Sequence, residues 1–244
     1  MITAAAFVPS TPLLVPEAAS GAAGELAAVR EASIAALSAA LSAALGTAPQ
    51  RVVIVGATSR VIGTPEPHGI ATYRSGTGSL RGFGVGLDVP LDPSAPGAQP
   101  LSLASTVGAW LLAQTGWAGE RLAVELDPTS DDASLDAAGA VLADGVPTVL
   151  LVVADGSAAR TEKAPASLHP EAAAFDESVA KALASGDPAQ LAALDASIAT
   201  AVTAGGRPAW RAAAAALQGT AYAAELLADD APYGVGYVVA RWTR

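Results

Sequence analysis

The chain has 244 residues and a formal charge of −10, with 13 basic against 23 acidic side chains and no cysteine. No five-residue window holds a Lys/Arg cluster, so the counterion displacement that nucleic acids and anionic membranes require has no surface to act through. Without thiols there is no disulfide framework. Only 5% of residues are aromatic although 52% are hydrophobic, so alanine carries the positive mean hydropathy and no spanning segment is implied.

In chain order, Ile2–Val8 reads as an apolar strand that ends in the Pro9-Ser10-Thr11-Pro12 turn. Leu13–Glu17 reads as extended. A helix is predicted from about Gly21 to Leu45, since Ile34, Leu37, Leu41 and Leu45 recur at spacings of three and four. Its serines, Gly46 and Pro49 argue against a membrane span. The run Arg51–Val55, closed by Gly56, predicts a buried strand. Gly63–Pro100, rich in Gly and Pro, reads as an excursion carrying short strands such as Leu80–Leu87.

Ser102–Thr115 is predicted helical, and Arg121–Leu126 forms a strand. Ser130 is placed as the cap of a helix through Ala143, with Asp131 and Asp132 in its first turn. Pro147–Val153 is the most hydrophobic strand and is placed at the centre of the sheet. Pro170 is placed in the first turn of a helix to Ala184, Asp187-Pro188 starts another helix, and a third follows Pro208. Strand-like Ala221–Leu227 and Gly234–Trp242 close the chain. Alternating strands and helices predict an α/β layer structure. With no internal repeat and no composition break, a single domain over residues 1–244 is expected. No basic residue precedes Arg30, so a secretory signal start is missing; the expected location is the cytoplasm.

Chemistry-bearing motifs are few. Val55-Gly56-Ala57-Thr58-Ser59 has one glycine where a dinucleotide fingerprint needs three. Gly82-Phe83-Gly84-Val85-Gly86 has the glycines but no helix after it. Both read as structural. Asp155-Gly156-Ser157 is the nearest imitation of a nucleophile elbow, and only His68 and His169 are available as a base. His68 reads as a loop histidine. His169, before Pro170, reads first as a cap for the following helix, yet it lies just beyond the most apolar strand, where open α/β sheets bind ligands. Asp127, Asp131 and Asp132 read as capping and solvated carboxylates.

Several segments taken together carry a family resemblance: Phe7–Glu17, Arg51–Ser59, Val152–Thr161, Leu168–Glu171 with Phe175-Asp176, Gly205–Leu217 and Ala231–Tyr237. In this order they resemble the class III extradiol ring-cleavage dioxygenases of subunit-B type, in particular their Memo-related bacterial branch. The resemblance implies a three-layer α/β/α fold around a mixed sheet. Active members hold non-haem Fe(II) with two histidines and a glutamate, and use a further histidine as acid/base. On this pairing the ligand positions fall on Ser10, Thr58 and Thr203, and the acid/base position on Ala159. Hydroxyl and methyl side chains do not hold a transition metal.

The resemblance therefore implies a lost iron site, with no catalytic residue transferred, no metal ligand and no cofactor. The expectation is a pseudoenzyme whose former cleft, with Ser10, Thr58, Asp155, Ser157, Arg160, His169 and Thr203, binds a small molecule or a protein partner. Two alternatives stay open. One is metal-independent catalysis in the same cleft through His169 and Arg160, with Asp155 and Ser157. The other is a structural subunit, and a homo-oligomer is compatible with all three.

Overall fold

The computed structural model describes residues 1–19, 21, 23–43, 49–58 and 70–244. His68, Ser59, the start of the 63–100 excursion and the predicted C-terminal end of the long helix at Leu45 lie outside the described residues.

The strands are β1 (Ile2–Val8), β2 (Arg51–Ala57), β3 (Ile70–Tyr73), β4 (Thr77–Ser79), β5 (Asp88–Pro90), β6 (Glu120–Leu126), β7 (Thr148–Val153), β8 (Ala223–Asp230) and β9 (Tyr237–Thr243). Seven of them form one sheet in the order β3-β6-β2-β7-β1-β9-β8, with β7 in the middle. The four inner strands β6, β2, β7 and β1 are parallel, while β3, β9 and β8 run antiparallel to their neighbours. The sheet is therefore mixed. Strands β4 and β5 pair as a separate ribbon.

The inner strands are apolar on both faces because both are covered. The helices are α1 (Pro16–Ala19), α2 (Ala27–Ala43), α3 (Leu103–Gln114), α4 (Asp132–Leu142), α5 (Ala172–Ser185), α6 (Pro188–Ala192), α7 (Ala196–Ala201) and α8 (Arg207–Leu217). On one face Phe7, Val53, Val55, Leu150 and Val152 pack with Leu135 of α4, Val179 of α5 and Trp210 of α8. On the other, Val8, Val52, Ile54, Leu151 and Val153 pack with Val29 and Leu37 of α2 and with Val107 and Leu111 of α3. The result is a three-layer α/β/α fold.

Small residues let the layers approach closely. A Cβ added at Gly139 of α4 would lie 2.4 Å from the Ala215 Cβ of α8, so the alanine run of α8 acts as a flat contact surface. Arg211 then clamps the pair, donating to both carboxylate oxygens of Asp136 at 2.7 and 2.6 Å. Trp242 of β9 is fully buried, meets Phe7 edge-on at 5.0 Å and stacks on Tyr222 at 5.7 Å. Among the described residues, no helix is long and apolar enough to cross a membrane.

Several local expectations are corrected. Leu13–Glu17 is not extended: Thr11 caps a 3-10 turn over Pro12–Leu14, and α1 follows. Helix α2 starts at Ala27, because 23–26 are turns. Leu80–Leu87 is not a strand. Leu80 begins a 3-10 turn over Arg81–Phe83 that ends at left-handed Gly84, and the three glycines of Leu80–Leu87 oppose a ladder. The α4 cap is Asp131, which accepts from the Ser134 N–H at 2.8 Å; Ser130 sits one residue outside. Pro170 precedes α5, whose cap position is Glu171. Helix α7, capped by Asp195 through the Ser197 and Ile198 N–H groups, was not expected.

Candidate functional site

Strands β1 and β7 are in register up to Val8 and Val153. The chain leaves both at the same level, and the Ala154 N–H still donates to the Val8 carbonyl at 2.8 Å. Two residues beyond each paired end stand Ser10 and Asp155. The Ser10 N–H donates to Asp155 Oδ1 and its hydroxyl to Oδ2, both at 2.8 Å. Burial without a cation pushes the Asp155 carboxyl up to about 6, against the opposing pull of the two Ser10 hydrogen bonds. Asp155 is only partly accessible, and its surroundings disfavour the charge it carries at neutral pH.

This pair forms the floor of a cavity of about 460 Å³ at the C-terminal rim of the parallel strands. Hydroxyls of Thr11, Thr203, Tyr233 and Tyr237 share its wall with Leu13, Pro165 and Val235. Among the described residues lining it, Asp155 is the single ionised carboxylate and there is no Lys, Arg or His. Tyr237 is buried, and desolvation raises its phenol to about 12, the nearby Asp155 charge adding to the effect and a hydrogen bond with Thr11 opposing it. Tyr233 donates to Glu25 Oε2 at 2.8 Å at the outer edge.

Three segments are tied together to build this rim. The Gly206 N–H donates to the Asp155 carbonyl at 3.0 Å, and Ala158 N–H to Val202. The Gly156 N–H donates to the Gly236 carbonyl, the Gly236 N–H to the Ser157 carbonyl, and the Arg160 N–H to the Gly234 carbonyl. Behind them lies Asp176 of α5, 1% exposed, accepting the Ser157 N–H and hydroxyl at 2.7 Å each. A Cβ on Gly156 or Gly236 would stand 2.5 or 2.4 Å from Asp176 oxygens, so both glycines make room for this carboxylate. Burial raises the Asp176 pKa, while the Ser157 bonds and the Arg160 charge act against that rise. Arg160 lies 3.6 Å from Asp176.

The structure brings together Ser10, Asp155 and Thr203 of the residues singled out from sequence. Thr203 adopts φ 56°, a left-handed conformation that is an outlier for a β-branched residue and is typical of strained sites. Thr58 follows the lining residue Ala57, is buried and donates its N–H to Leu126. Ala159 is fully buried in the apolar cluster. Ser157 and Arg160 stand behind the cavity wall on Asp176. His169 does not line the cavity; its Nδ1 accepts from the Glu171 N–H at 3.3 Å and its carbonyl from Ala172, which makes it a local turn residue ahead of α5. The sequence reading passed over Tyr237, Tyr233 and Thr11 as site groups, and Asp176 as the rim's anchor.

No protein-family model and no curated protein matches the sequence. Among solved structures, the chain is similar to the crystal structure of an uncharacterized protein from Escherichia coli K12. The two align over 99% of this chain and 100% of that one at a TM-score of 0.47 and 12% identity. At that level the similarity assigns neither family nor function.

A small cavity of about 340 Å³ lies on the far side of Thr203 and Gly205, between the α4 and α8 starts. Its one cation, Arg207, is committed to Asp132 at 2.7 Å and to the Leu194 carbonyl. Unlike Arg207 in that cavity, the Asp155 carboxylate has no oppositely charged side chain among the described residues lining its own.

Proposed function

We propose that this chain is a degenerate relative of the class III extradiol dioxygenases in which the strand-end cavity binds a small organic molecule. The observation that carries the reading is the Ser10–Asp155 pair: an ionised group held by two fixed donors, inside a cavity, at a cost in folding free energy. Ligands of open α/β folds bind outside the carboxyl ends of the strands, and this cavity sits there. The polar groups converge on an otherwise apolar wall, as in small-molecule sites.

The donor set does not fit ferrous iron. An open Fe(II) site is built from two imidazoles and a carboxylate. Here the wall offers hydroxyls and one carboxylate already bonded to Ser10, and His169 is turned to its own backbone. Among the described residues no group of three or more His, Cys, Asp or Glu side chains could hold an ion.

The test is a fragment screen by ligand-observed NMR on the wild type and on Ala158→Trp, which fills the cavity. Fragments that bind the first and not the second support the reading. Fragments that bind both equally, or none at all, refute it.

A second reading, metal-independent acid–base chemistry, is favoured by one observation: a cavity carboxylate that changes protonation near pH 6 is poised for proton transfer. Asp155 would carry that role, since His169 and Arg160 do not line the cavity. Turnover of a bound fragment that vanishes in Asp155→Asn would establish it, and unchanged turnover would remove it.

A further inference from the structure

We infer that the cavity on Asp155 selects small organic cations, namely protonated amines carrying an apolar or aromatic group. This rests on the reading of the cavity as a ligand site and adds the chemical class of its occupant.

The wall presents a carboxylate with no basic side chain beside it among the described lining residues. Both carboxylate oxygens are engaged on one side by Ser10, which fixes the group in place. Each oxygen retains acceptor capacity, since an ionised carboxylate has about four lone-pair sites. An ammonium supplies the missing opposite charge together with hydrogen-bond donors, so the pair would be charge-assisted. Two tyrosines, Tyr233 and Tyr237, line the same space, and aromatic faces attract cations. Leu13, Pro165 and Val235 offer apolar contact to the rest of the ligand.

The charges around the rim point the same way. Glu25, hydrogen-bonded to Tyr233, adds a second negative group at the mouth. From behind, Asp176 is turned to Ser157 and balanced by Arg160 at 3.6 Å, and Asp229 acts on Asp176 from the hairpin side. From β9, Tyr237 faces Asp155 as a neutral phenol, its pKa about 12. With −10 on the whole chain, the long-range field also draws cations in. An anionic ligand would meet the Asp155 charge with no basic side chain among the described lining residues to offset it.

Protonation of Asp155 removes the attraction. Its carboxyl is held at about 6 by burial, so the preference is present above that pH and lost below it. An aliphatic amine stays protonated throughout this range, so the change reports on the protein.

The experiment compares three ligands of one shape on the intact chain: benzylammonium, benzyl alcohol and benzoate. Binding is titrated by calorimetry and ligand-observed NMR at about pH 7.5 and about pH 5.0. At the upper pH benzylammonium is expected to bind with a Kd of about 1 mM, the range open to so small a ligand. It should bind about tenfold tighter than the alcohol, with benzoate weaker than both. At the lower pH the ratio should fall to about two or less. In Asp155→Asn, with folding checked by circular dichroism, the preference should be gone at both pH values.

Equal binding of alcohol and ammonium, a preference unchanged by pH, or one that survives Asp155→Asn overturns the inference. So does a failure of benzylammonium to saturate. If that variant fails to fold, the pH series on the wild type decides alone. Benzyl alcohol distinguishes loss of the ligand site from loss of its charge selectivity. If it binds the wild type and not Ala158→Trp, the cavity is a ligand site and only its charge selectivity is wrong. If it binds both equally, the ligand site itself is refuted.

Discussion

Replacing Asp155 with Asn should make the protein more stable at neutral pH. Asn keeps both contacts, because its oxygen accepts the Ser10 N–H and its amide donates to the Ser10 hydroxyl, which can turn to accept. What it removes is the buried charge. The Asp155 carboxyl lies at about 6 instead of 3.8, and each pKa unit corresponds to about 1.4 kcal/mol. The shift of roughly two units sets an upper bound of about 3 kcal/mol, and partial contact with solvent lowers the expectation to about 1–3 kcal/mol. The sign follows from linkage. The folded state binds the proton more tightly than the unfolded chain, so the penalty is absent below 3.8, grows as pH rises to about 6 and is complete above it. Urea unfolding of wild type and Asp155→Asn at about pH 4 and about pH 7.5 measures it: the two should nearly coincide at the lower pH and separate at the higher one. A variant that is less stable than wild type at neutral pH, or a difference that ignores pH, would refute this account of the floor of the cavity.

Three further outcomes are expected. Gly236→Ala should cost about 2–3 kcal/mol in urea unfolding, because its Cβ would stand 2.4 Å from an oxygen of Asp176, which is buried and held by Ser157; a wild-type midpoint would show that the rim yields. Thr203→Gly should leave stability unchanged or raise it by up to about 1 kcal/mol, as relief of the φ 56° conformation offsets glycine's greater freedom when unfolded. A clear loss in the same measurement would mean that the Thr203 side chain contributes contacts of its own. Trp242→Ala should lower stability by about 3–5 kcal/mol, since the ring is fully buried between Phe7 and Tyr222 and its Nε1 donates to the Leu183 carbonyl at 2.6 Å. A calorimetric scan showing a change of less than about 1 kcal/mol would contradict that packing.

The inner sheet was legible because burial on both faces leaves a strong local mark. Ile2–Val8 matches β1 at both ends, and the PTVLLVV run lies at the sheet centre with its start moved by one residue. Asp187 was readable as a cap for the same reason: its side-chain acceptor and the N–H it satisfies are two residues apart. Leu80–Leu87 misled because its apolar residues alternate with glycines, and alternation alone does not supply a partner strand. The importance of Asp176 was invisible because its partners lie 19 residues away at Ser157 and 60 residues away at Gly236. Of the site, Asp155 was found from its place after the central strand. Its bond to Ser10 follows only from the register of β1 on β7, a long-range pairing that composition does not encode. That register is itself the usable signal: positions equally far past the ends of two aligned parallel strands face each other.

The place of β1 between β7 and β9 has a consequence for biosynthesis. During translation the amino-terminal strand cannot complete its ladder until residues 148–153 have left the ribosome. Its other edge stays open until residues 237–243 emerge. Until those residues emerge the nascent polypeptide therefore exposes Ile2–Val8, an uncharged heptapeptide with unpaired strand edges of the kind open to intermolecular pairing. Folding is delayed by sequence separation, and a holding chaperone or a quickly collapsing α2 would shield that segment in the interval.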